Sequence, residues 1–122
     1  MALTTKTLLP LTTYGVPSGN YNGTSLDFIG DTVPGASYYT VKHGSNQTAV
    51  ITTTNFIGVI TLQASLGTVA EQDAWFDVAT YGNSTTPTTG TTAINLVGNF
   101  VWVRAAVTSF TDGTINSANL LF

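Results

Sequence analysis

Between positions 101 and 108, Val101, Val103, Ala105 and Val107 alternate with Trp102, Arg104, Ala106 and Thr108. A period of two predicts a strand with one face on a core. Residues 59–66 repeat the pattern, with Ile60, Leu62, Ala64 and Leu66 on one face and Thr61, Gln63 and Ser65 on the other. After the first of these strands comes Thr111-Asp112-Gly113, where Asp-Gly suits a tight antiparallel connection. A last strand then runs over 114–122, so the chain is expected to end in a hairpin. Shorter strands are expected at 25–29, 37–42, 48–54, 75–79 and 92–97. Residues 4–13 read either as a first strand, held to an edge by Pro10, or as an extended arm.

The intervening stretches carry the Gly, Pro, Asn and Thr of loops, above all 14–24, 30–35, 43–46 and the long run 81–91. Residues 67–73 form a polar excursion. The count comes to about eight or nine short strands with a turn signal roughly every ten residues and no helical period. This predicts an all-β fold, an antiparallel β-sandwich of jelly-roll type. Residues 14–122 would form its single domain, and residues 1–13 the arm or edge strand.

Composition changes the picture from fold to role. Of 122 residues only 7% are charged and 43% are hydrophobic, where about a quarter charged is usual in soluble chains. Thr, roughly a fifth of the chain, favours strands while tolerating water. A chain rich in aromatics and poor in charge is the reverse of a disordered one. Interface cores are depleted in Lys, Glu and Asp, so low charge throughout points to faces covered in an assembly. Lys6, Lys42 and Arg104 are scattered and the net charge is −3, which argues against a nucleic-acid partner. No Cys is present, so disulfide and thiolate metal sites are excluded. The first eleven residues do not read as a signal peptide, and no apolar run is long enough for a membrane-spanning helix.

Two pairs of segments carry a resemblance. Ile60-Thr-Leu-Gln-Ala-Ser-Leu66 is followed by Asp73-Ala-Trp-Phe-Asp-Val78, and Gly98-Asn-Phe-Val-Trp-Val-Arg104 by Val107-Thr-Ser-Phe-Thr-Asp-Gly-Thr-Ile115. Their order resembles small β-sandwich structural proteins of tailed bacteriophages. Discoidin-like and other jelly-roll carbohydrate-binding domains show a similar, looser pattern. The first resemblance implies a virion component, and the second a sugar binder with loops at one end of the sandwich.

Catalytic chemistry has little to build on. His43 is the only His and sits in a His-Gly-Ser-Asn turn, so a Ser-His-Asp set is not expected. Glu71, Asp73 and Asp77 form the one acidic cluster, the weak candidates for a metal site, without EF-hand spacing. A solvated loop leading into a strand is the preferred account of them. Neither a cofactor nor an enzymatic activity is expected. Arg104 should lie on the outward face, paired with Asp77 or Asp73 or covering Trp102 by cation–π contact. Trp75 and Phe76 should face opposite ways, one of them into the core. Tyr14, Tyr21, Tyr38, Tyr39, Tyr81 and Trp102 would serve a sugar-stacking platform or an interface.

The reading that follows is a non-enzymatic virion structural protein made in the bacterial host cytoplasm. Its first assignment is a capsid decoration or cement protein on the mature phage head, a homo-oligomer with a trimer favoured. Its partner would be the major capsid protein or another virion protein. Leu8, Leu9 and Leu11 of the arm, with Trp102 and Arg104, are the expected interface residues. The alternatives are a neck, tail or fibre component, or a glycan-binding module for host attachment.

Overall fold

The computed structural model describes residues 5–35, 46–66, 75–98 and 100–122. The expected strand at 37–42, the turn at His43, and Glu71 and Asp73 lie outside the described residues. The fold is all-β and antiparallel. Among the described residues seven strands make one sheet: β1 (Thr5–Leu9), β2 (Thr12–Thr13), β3 (Phe28–Ile29), β4 (Val33–Pro34), β5 (Asn46–Ser65), β6 (Phe76–Val97) and β7 (Trp102–Leu121). β5 is central, with β6 on one side and β7 on the other. The four short strands line the far edge of β7 in succession.

The long strands differ from the expected set of short ones, and the difference has one cause. The separate strands expected at 48–54 and 59–66 are both parts of β5. Those at 75–79 and 92–97, with the loop between them, are parts of β6. The terminal hairpin is the single strand β7. At each junction the chain bulges instead of reversing. Asn55 (φ 50°) and Gly58 (φ 156°) interrupt β5, Gly82 (φ 93°) and Gly90 (φ 133°) bracket the irregular part of β6, and Ser109 (φ 55°) and Gly113 (φ 91°) interrupt β7. The three irregularities lie abreast, since Phe56 pairs with Thr88, Gly58 with Asn83 and Ile57 with Asp112. A bulge adds residues to one strand of a pair and bends it.

The bulges also conserve the buried face. In β5, Gln47, Ala49, Ile51 and Thr53 are buried before the bulge, and Phe56, Ile60, Leu62 and Ala64 after it. The parity flips because an uncorrected one-residue slip would turn the apolar set outward. β7 does the same, burying Val103, Ala105 and Val107, then Phe110 and Ile115, then Ala118 and Leu120.

Phe110 occupies the belt of bulges. Its ring meets those of Tyr21 at 5.2 Å, Phe56 at 5.6 Å, Tyr14 at 5.7 Å and Phe28 at 6.0 Å. The sheet folds over this cluster, because the two ends of β7 end up bridged by the segments that flank them. Leu8, at one end, accepts a hydrogen bond through its carbonyl from the Asp31 amide at the other, at 3.2 Å. A Cβ on Gly30 would collide with the Leu8 carbonyl, so the close approach requires glycine. Leu8, Leu9, Ile51 and Leu120 of one half share one core with Ile60, Leu62 and Val103 of the other. A single folded sheet thus does the work expected of two facing sheets.

Candidate interaction surfaces

On the outward face of the half containing the start of β7, three outward positions fall in one cross-strand row. Gln63 pairs with Asp77 on β6 and with Arg104 on β7. The Gln63 amide nitrogen donates to Asp77 Oδ1 at 3.0 Å, and its Oε1 accepts from Arg104 Nε at 2.8 Å. One amide therefore serves opposite charges at its two ends. The Arg104 guanidinium lies 4.1 Å from the centroid of the Trp75 ring, a cation–π stack. Partial burial draws the Arg104 guanidinium below its ordinary value, and arginine stays charged regardless. Beside this row runs a groove of about 530 Å³, with Arg104 and Gln63 at one side and Asp27, Asn20 and Thr108 among its lining.

The outward face of the other half is different in kind. Thr48, Val50 and Thr52 of β5 stand opposite Asn95, Ala93 and Thr91 of β6, and opposite Leu121, Asn119 and Ser117 of β7. None of these carries a charge. Hydroxyls and amides join the strands across the face: Thr48 donates to Asn95 at 3.0 Å, Thr52 and Thr91 share a bond of 3.0 Å, and Thr54 donates to Asn116 at 2.9 Å. Cross-strand pairs of this kind stabilise a sheet while leaving it wettable.

Several expected site residues are placed otherwise. Leu8 and Leu9 are 0% and 1% exposed; they fill this chain's own core through β1, which pairs with the end of β7, and cannot line an arm reaching a neighbour. Leu11 alone of the three is exposed, at 60%. Of the contacts expected of Arg104, Asp77 is reached only through Gln63 and the stacked ring is Trp75, not Trp102, while Asp73 lies outside the described residues. Trp102 is half-buried, and its indole Nε1 is buried with no hydrogen-bond partner among the described residues. Trp75 does not enter the core, and Phe76 is exposed with its ring edge-on to Phe100 at 5.9 Å. Tyr21 and Tyr81 are buried and cannot form a stacking platform. Asp77 is exposed and bound to Gln63, and no group of three metal-ligating side chains occurs among the described residues.

Sequence reasoning set Arg104 outward and beside Asp77, but it missed Gln63 as the link between them and Trp75 as the stacked ring. The signal for the row was parity: Gln63 and Arg104 both occupy outward positions of alternating strands. What parity lacks is the register that sets them side by side. No helix among the described residues is long and apolar enough to cross a membrane. Comparison with protein families, with curated proteins and with solved structures finds no match to the chain.

Proposed function

We propose that the chain is a non-enzymatic structural protein of a tailed-phage virion, a capsid decoration protein that binds the mature head. The observation that carries this reading is the charge-free Thr/Asn face of β5, β6 and β7. Such a face loses no ionic solvation when covered, and interface cores are depleted in charge for that reason. Its partner would be the major capsid protein, with neck, tail or fibre as other addresses for the same adhesive surface. Bound copies would stabilise the shell by binding the mature lattice in preference to other states.

The test places charge at the centre of the face. Val50→Lys and Asn119→Lys, each at a partly exposed position, should lower occupancy on mature heads at least tenfold while circular dichroism stays unchanged. Full occupancy by both variants rejects the face. The Arg104 groove favours a second reading, a glycan-binding module, because it combines a cation with amide and hydroxyl groups. Glycan-array binding lost in Arg104→Ala would support that reading over the first.

A further inference from the structure

We infer that residues 88–97 of β6 form the interface with a second copy of this chain, by antiparallel edge-to-edge strand pairing. The inference deepens the assembly reading above, and it rests on how unequally the two margins of the sheet are treated. The margin at β7 is closed along its length. β1 to β4 pair with it in turn, and between them Gly30 donates to the Ala105 carbonyl, Phe110 to Leu26 and Tyr14 to Gly113, at 2.8 to 2.9 Å. The margin at β6 has no pairing strand among the described residues. Its outward-pointing backbone groups are a template for another strand.

Exposed edges are ordinarily protected by charge, by proline, by bulges or by shortness. Residues 91–97 have none of these. They hold an unbroken register with β5, from Thr91 opposite Thr52 to Val97 opposite Asn46. Residues 88–97 contain no charged residue and no proline. The one charge of β6, Asp77, and its one proline, Pro87, both lie before this stretch.

A second copy fits this edge on symmetry and charge. Two identical edges meet about a twofold axis normal to the sheet, an isologous contact. Placing that axis through Ala93 pairs Thr89 with Val97 and keeps like faces together. No like charges meet. Each copy offers a single such edge among its described residues, so the contact closes at two rather than at the trimer that symmetric decoration favours.

The experiment uses the full chain. Sedimentation equilibrium should show a monomer passing to a dimer as concentration rises, and amides in 88–97 should exchange more slowly in the dimer. Ala93→Lys and Ala93→Glu should each raise the dimer dissociation constant at least tenfold, because the axis places the two new charges together. Mixing the two variants should restore a dimer, a rescue that mere damage to the fold would not give. A wild-type chain monomeric at millimolar concentration, or a dimer whose 88–97 amides are unchanged, overturns the inference. So does full protection of that edge in the dilute monomer, or failure of the mixture to recover. Should either variant misfold, the wild-type exchange comparison decides alone. A monomer that still occupies phage heads would overturn this pairing and leave the head-binding reading standing, whereas a dimer through 88–97 that ignores heads would do the opposite.

Discussion

β6 and β7 flank the same central strand and are nearly equal in length, at 22 and 20 residues, yet they live in different environments. β7 buries alternate side chains and has its outer margin sealed by the segments of residues 5–35. β6 buries only Tyr81 and Leu96. Both strands are poor in charge, although β6 holds seven Thr and β7 only three. The environments differ most in neighbours: one strand has a core on one face and a partner on each side, and the other has, among the described residues, a partner on one side only. Strands with many buried contacts carry global stability, and those with few are the ones free to bind.

The comparison breaks most severely at Phe110. Phe110→Ala removes the hub of the aromatic cluster on β7, and chemical denaturation should register a loss of about 3–5 kcal/mol. A loss under about 1 kcal/mol would mean that the core is centred elsewhere. Leu8→Ala belongs in the same class, at about 2–5 kcal/mol, because β1 belongs to the core and is not a free arm.

A glycine pair sharpens the contrast at intermediate scale. Gly113 of β7 has φ 91°, and a Cβ there would collide with the Asn55 carbonyl. Gly90 of β6 has φ 133° with nothing within 4 Å of such a Cβ. Gly113→Ala should therefore cost about 1–3 kcal/mol from strain plus collision, and Gly90→Ala less, from strain alone. Equal shifts in melting temperature would show that the two bulges are equally tight.

Tyr81 tests a place where β6 is anchored by a buried polar contact. Thr53 donates to the Thr88 carbonyl at 2.9 Å, so the Tyr81 hydroxyl, 2.7 Å from Thr53 Oγ1, is the donor to it. Tyr81→Phe should cost about 1 kcal/mol and raise hydrogen exchange locally around residues 82–88. An unaltered exchange pattern there would place the anchor elsewhere. The smallest effect is expected on the outward row. A double-mutant cycle between Trp75→Ala and Arg104→Ala should return a coupling of about 0.5–1 kcal/mol, and a coupling of zero would make the stack incidental.

Much of the inward set was legible from alternation alone. Ile60, Leu62, Ala64, Val103, Ala105 and Val107 are all buried as the period of two requires. Leu66 follows the same parity but is 60% exposed, because β5 ends at Ser65. The breaks between strands were misread for a reason of backbone chemistry. Gly and Asn supply positive φ, and both a reversing turn and a bulge need it. Thr111-Asp112-Gly113 therefore looks like a hairpin locally; what makes it a bulge is that β5 continues alongside, with Thr54 opposite Thr114 and Ile57 opposite Asp112.

The amino-acid order by itself determined that this chain is built of antiparallel strands, which residues of the strongest strands face inward, and that few charges would be available at its surface. These follow from periodicity and composition, which act over a few neighbouring residues. Only the tertiary structure decided that three strands run through their bulges, that Leu8 and Leu9 close this chain's own core, that Trp75 lies against Arg104, and that β6 keeps a margin without a partner among the described residues. Each of those depends on register between segments distant in sequence, and register is set by packing across the sheet and not by local preference.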